Sequence, residues 1–246
     1  MIDKIEGFVI DIVKHNDKHN VVTLYTRTRG RMAFLVPVGK SKQGKTRNAI
    51  IAPMACLAAD VNIRGGRELL HLRQPTPVRL WHNIYFNPVK SSILYFITEL
   101  CNRILRQSPP DPGLWDFIYN SLEILDGTQA DRISNFHIAF LVRLLPWLGI
   151  SPSIEGRREG ELFDMLSATM IDPGMPFGLQ RRILLSPSES AFIPYLAKIN
   201  YRNMHLYRLT SSERQETLDG LIRYCSLHLP LGSELKTLDI LRQLFI

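Results

Sequence analysis

Cysteine is scarce and scattered: the 246 residues hold three, Cys56, Cys101 and Cys225, with no C-x-x-C pair. That spacing argues against a disulfide framework or a cysteine-based zinc site and predicts reduced, buried thiols. Long apolar runs are missing too. The best candidate, Ala139 to Ile150, is broken by Arg143 and Pro146 and falls short of the ~18 residues that a membrane span needs. Asp3, Lys4, Glu6 and Asp11 leave no uncharged apolar core near the N-terminus, so a secretory leader is not expected and the cytoplasm is the default compartment. Catalytic signatures are equally thin. There is no H-E-x-x-H and no G-x-S-x-G, and the seven histidines are dispersed. His15 and His19 fall in an expected turn, while His137 and His228 lie on apolar helical stretches, where a hydrogen-bonded structural histidine is expected. No enzyme and no cofactor are indicated.

What the chain does have is positive charge in one place. The net charge is +7; residues 1–80 carry 14 Lys and Arg against 6 Asp and Glu, leaving 16 against 17 in the remainder. An excess confined to one third of a chain is the electrostatic footprint of a nucleic-acid surface, or else a solvated face that only aids solubility.

The same third has the pattern of strands. Ile5 to Lys14 alternates in part, with Phe8, Ile10 and Ile12 on one side, and Val21 to Arg27 is β-branched and aromatic. Turn formers from His15 to Asn20 join them as a hairpin. Arg29-Gly30 turns the chain into Met32 to Val38, a loop spans Gly39 to Arg47, and two further runs, Ile50 to Ile63 and Glu68 to Arg73, flank a turn at Arg64-Gly65-Gly66-Arg67. Five short strands with glycine turns predict a five-stranded OB-fold β-barrel. After Pro75, Pro77 and Pro88 the period becomes helical. Helices are expected over Ser91–Leu105, Leu114–Leu125, Ile133–Leu148, Leu162–Met170, Ser188–Ile199 (with Ser188 as N-cap), Glu213–His228 and Leu235–Phe245. The fold class is α+β, with a barrel over 1–80 and a helical domain over 81–246.

Candidate DNA-binding residues follow from the charge. Lys40, Lys42, Lys45 and Arg47 sit in the glycine-flanked loop, Arg27, Arg29 and Arg31 cluster at one hairpin, and Arg64 and Arg67 at another. Lysine and arginine neutralise phosphates with little sequence preference. Tyr25 and Phe34 are the aromatics available for base stacking, or else barrel core. Gly39-x-x-x-x-Gly44-Lys45-Thr46 also matches the P-loop spacing. A P-loop must follow a buried parallel strand and open a helix, whereas this loop follows a hairpin strand, so nucleotide hydrolysis is not expected. In the helical domain, Arg103, Arg106, Arg132 and Arg143 rim apolar stretches. They either accept an acidic or C-terminal peptide or lie over core leucines and bind nothing.

The order of these pieces resembles the RecO family of bacterial recombination mediators, essentially end to end. The residues that carry the likeness are Gly7-Phe8-Val9-Ile10, Val22 to Arg27, Gly39-Lys40, Gly66-Arg67-Glu68-Leu69, the helix at Ile133 to Leu148 with Leu148-Gly149-Ile150-Ser151-Pro152, and Tyr224-x-x-x-His228-Leu229 with Leu235 to Leu238. The resemblance implies an OB-fold joined to a helical domain, binding of single- and double-stranded DNA, strand annealing, and loading of RecA on DNA coated by the single-stranded DNA-binding protein SSB. RecR and the acidic C-terminal tail of SSB are the implied partners. Many members carry a four-cysteine zinc site after the segment matching Leu148 to Pro152; here Ser153-Ile154-Glu155-Gly156-Arg157-Arg158 has no cysteine, so zinc is not expected. The alternatives are a protein-interaction adaptor with an OB-type barrel and an RNA-binding OB protein.

Overall fold

The computed structural model describes residues 2–39, 42–62, 69–156, 158–174, 181–232 and 234–244. Packing divides the chain into two units, Met1–Ala130 with Leu231–Ile246, and Asp131–Pro230. In the first, β1 (Ile2–Lys14), β2 (His19–Thr26), β3 (Gly30–Pro37), β4 (Cys56–Asn62), β5 (Leu69–His71) and β6 (Arg73–Arg79) form a six-stranded sheet in the order β5-β3-β2-β1-β4-β6. β5 pairs parallel with β3, and β6 pairs antiparallel with β4. Leu72 alone separates the two, so one stretch of chain meets both edges of the curled sheet. That is the OB arrangement, and it is how five runs of sequence give six strands. Gln74, two residues beyond that break and within β6, has a φ of +44°.

Both faces of the sheet are buried, for different reasons. Ile5, Val9, Val22, Leu24, Phe34, Leu57 and Val61 fill the barrel interior. Phe8 is fully buried on the other face and stacks at 4.7 Å on Trp115, a contact worth about 1 kcal/mol beyond its buried area. The expected grouping of Phe8 with Ile12 therefore fails: a register shift between Val9 and Asp11 separates them, and Ile12 is exposed. Gly7 allows the strands to coil here, since a Cβ would come 2.9 Å from the Tyr25 carbonyl oxygen.

Some expected boundaries move. The stretch read as a loop over Gly39–Arg47 includes α1 (Lys42–Ile50), and the strand expected from Ile50 starts only at Cys56. The Pro75–Pro77 connector is instead β6, a strand at one end of the ladder order, where a missing proline N–H is tolerated. α2 (His82–Phe86), α3 (Pro88–Ile104) and α4 (Pro112–Gly127) then pack in the same unit. Asn87 and Asp111 cap α3 and α4, and each helix has proline in its first turn, so those prolines start helices.

The second unit holds α5 (Phe136–Leu144), which Pro146 tightens into a 3-10 turn at Leu145–Leu148. The expected helix over Leu162–Met170 is a hairpin, β7 (Leu162–Asp164) and β8 (Thr169–Ile171). Its turn is held by the Asp164 carboxylate, which accepts from Leu166 N, Ser167 N, Ser167 Oγ and, across the loop, Ile183 N. Local side-chain acceptors of this kind compete with helix formation. α6 (Pro187–Leu196) is capped by Ser186, two residues before the expected Ser188, because Glu189 completes a capping box with it. α7 (Ser211–His228) starts from an equivalent box at Thr210 and Glu213. His228 is tied to the Met165 carbonyl at 2.8 Å, and burial pushes the His137 pKa down to about 3, which keeps the ring neutral. α8 (Thr237–Leu244) returns to the first unit, where the Glu99 carboxylate of α3 accepts from Thr237 N, Thr237 Oγ1 and Lys236 N. All three cysteines are free and buried. Among the described residues no helix is long and apolar enough to cross a membrane.

Candidate nucleic-acid interface

A phosphate-binding surface needs cations that water and a phosphodiester chain can reach. The β2–β3 hairpin offers three arginines, each already engaged within the first unit. Arg27 Nη2 donates to Asp116 Oδ2 at 2.8 Å, and its guanidinium lies 5.6 Å from the Trp115 ring. Arg29 pairs with Asp3 of β1. Arg31 donates to the Asn102 carbonyl at 2.9 Å. The side chains of Arg27 and Arg29 are still 46% and 47% exposed, so unused N–H groups of both face solvent. Arg31 is more enclosed and acts as a strut between barrel and α3.

α1 carries the next cations. Lys42 and Lys45 lie on this helix, and Arg47 donates to the Pro37 carbonyl at 2.6 Å. The side chains of Lys42 and Lys45 lie outside the described atoms, and Lys40, Arg64 and Arg67 lie outside the described residues. The P-loop spacing finds a packing explanation here. The helix begins at Lys42, inside the motif, so Gly44 is in the helix and not in a loop ahead of its N-terminus. Gly39 and Gly44 meet backbone to backbone: a Cβ on Gly44 would come 2.5 Å from Gly39 Cα. Only glycine permits that approach.

One feature escaped the sequence. Arg79 of β6 is 46% exposed, 3.7 Å from Glu123 and 5.8 Å from the Trp81 ring. Its signal was a cation two residues from a tryptophan, masked by the prolines before it. Tyr25 and Phe34, by contrast, are fully buried and cannot stack on a base. Among the described residues of this unit the exposed large aromatics are Phe86 and Tyr95, both on helices.

The helical arginines part company. Arg103 donates to the Leu231 and Glu234 carbonyls and to Glu99, so it fastens the returning C-terminal segment. Arg106 and Arg132 are exposed. Arg143 lines a cavity of the second unit. Among the described residues no group of three or more His, Cys, Asp or Glu side chains is placed to hold a metal ion.

Comparison with known proteins covers nearly the whole chain. Residues 1–81 match the family described as recombination protein O N terminal, and residues 85–239 match recombination protein O C terminal. The chain is 33% identical over 246 residues to the DNA repair protein RecO of Phocaeicola vulgatus, covering all of both chains. It is 32% identical over 247 residues to that of Bacteroides fragilis and 32% over 253 to that of Porphyromonas gingivalis, again at full coverage.

Proposed function

The chain belongs to the recombination protein O (RecO) family of DNA repair proteins, and on that footing we propose that it is a recombination mediator that works by binding, without catalysis. It holds single- and double-stranded DNA on the barrel, anneals complementary strands, and helps load RecA on SSB-coated DNA in the cytoplasm. The observation that carries this reading is the charge of residues 1–80, 14 Lys and Arg against 6 Asp and Glu, on an OB-type sheet whose strand aromatics Phe8, Tyr25 and Phe34 are all buried on one face or the other. Binding therefore rests on phosphates: Arg27, Arg29 and Arg79 at the barrel surface, with Lys40, Lys42, Lys45, Arg47, Arg64 and Arg67 on the connections. Screening phosphate repulsion between two strands is what an annealing surface must do. RecR and the acidic tail of SSB are the proposed partners, the tail meeting an exposed cation, Arg106 of the first unit or Arg132 of the second.

Annealing of complementary oligonucleotides tests this. Replacing Lys40, Lys42 and Lys45 with alanine should slow annealing by about tenfold without lowering the melting temperature, because three phosphate contacts are lost. Adding Arg47→Ala should slow it further at some cost in stability, since Arg47 also anchors α1 to Pro37. Unchanged annealing in the triple variant moves the site off this segment, and a marked preference for RNA strands replaces the reading with an RNA-binding one.

A further inference from the structure

The unit Asp131–Pro230 contains a cavity of about 550 Å³ between α6 and α7, walled by apolar side chains including Leu145, Phe163, Phe192 and Leu221. Its charged lining is lopsided. Glu189, Glu213 and Glu216 face one guanidinium, Arg143, with Arg223 close enough to Glu189 to be felt by it. Two of the carboxylates are fixed by the capping boxes of α6 and α7, and Glu216 accepts from the Ser212 hydroxyl at 2.9 Å. Those hydrogen bonds hold Glu189 and Glu213 below the ordinary glutamate pKa, so both stay ionised.

Gly220 supplies an independent observation. It sits in the body of α7 and lines the cavity, yet a Cβ there would meet nothing within 4 Å. Glycine is a poor helix former, and it is not among the glycines of positive φ. Neither backbone geometry nor packing against the described residues calls for it. What it leaves is bare helix backbone on the wall of an apolar groove, the surface against which another backbone can pack closely.

We propose that this groove docks a cationic amphipathic helix from a partner protein. Its apolar side chains fill the cavity, its backbone lies against Gly220, and its lysines or arginines face Glu189, Glu213 and Glu216. An acidic tail would meet three carboxylates here and is excluded from this groove by like-charge repulsion.

The test uses the full-length protein and a fluorescein-labelled peptide of about 15 leucine and lysine residues at helical spacing, long enough for helix to form on binding. A leucine–glutamate peptide of the same pattern is the control. The leucine–lysine peptide should bind about tenfold or more tightly than the control, and Glu189→Gln with Glu213→Gln and Glu216→Gln should remove most of that difference. Glutamine keeps both capping boxes, so the fold is retained. Gly220→Ala should raise the melting temperature and weaken the peptide, and Gly220→Leu should weaken it by about tenfold or more by filling the groove. Amide shifts on titration should map to α6 and α7. Tighter binding of the acidic peptide, peptide affinity untouched by Gly220→Leu, or shifts confined to other helices would each overturn the proposal. Self-association abolished by Gly220→Leu would do so as well, by assigning the groove to a second copy.

Discussion

The Arg27 guanidinium has two claimants: the Asp116 carboxylate at 2.8 Å and any phosphate that reaches its exposed edge. A half-exposed ion pair contributes only ~0–1 kcal/mol, so a polyanion can take the arginine at small cost. Glu123 stands in the same relation to Arg79. Asp116→Asn should therefore tighten single-stranded DNA binding by about twofold to threefold, the fold-change that corresponds to one such pair. Equal or weaker binding in anisotropy titrations would mean that Arg27 is a purely structural cation. Glu99 makes a prediction about acid. Partial burial works to raise its pKa, but the donors from Thr237, Lys236 and Arg103 outweigh that and leave it below the ordinary glutamate value. A depressed carboxylate contributes stability that is present above its unfolded pKa, ~4.3, and lost as pH falls through the folded one. Hydrogen exchange in α8 should accelerate as pH falls through that window, after correction for intrinsic rates, and Glu99→Gln should flatten the response.

Among the elements, β7 and β8 show what a sequence hides. The residues Leu162 to Met170 have apolar spacing that fits a helix, and the deciding interaction comes from outside the window: Asp164 accepts from Ile183, 19 residues on. Asp164 is buried, and its removal leaves several backbone N–H groups without an acceptor. Asp164→Ala should cost about 2 kcal/mol in chemical denaturation, whereas EDTA should leave the melting temperature unchanged. Full stability of the alanine variant would show that the hairpin is held by something else. Much of the fold was legible nonetheless. Hairpin runs, glycine turns and the switch to a helical period near residue 80 announced a barrel followed by helices. α1 was missed because Lys42-Gln43-Gly44-Lys45 lacks an apolar face, and β6 because its prolines imitate a linker. The cations of the candidate site were also legible as charges. Their partners were not: Arg27 meets Asp116 across 89 residues of chain and Arg31 meets Asn102 across 71. No local pattern reports such distances, which is why a sequence can point to a surface without saying which of its charges are already spent.

For the whole molecule the governing quantity is the polarity of charge along the chain. Residues 1–80 hold the entire positive excess, and the rest is near neutral, 16 Lys and Arg against 17 Asp and Glu. A barrel with its strand aromatics buried and its arginines at the surface has little means of reading bases, so its affinity for DNA should come from released counterions. Anisotropy of labelled single-stranded DNA over a series of salt concentrations measures this directly. Log affinity should fall steeply and linearly with log salt, equally for mixed and homopolymeric sequences, with a slope that drops by about 0.7 for each phosphate-binding lysine removed from positions 40, 42 and 45. A slope near zero, or one that those substitutions leave unchanged, would contradict this origin of the affinity.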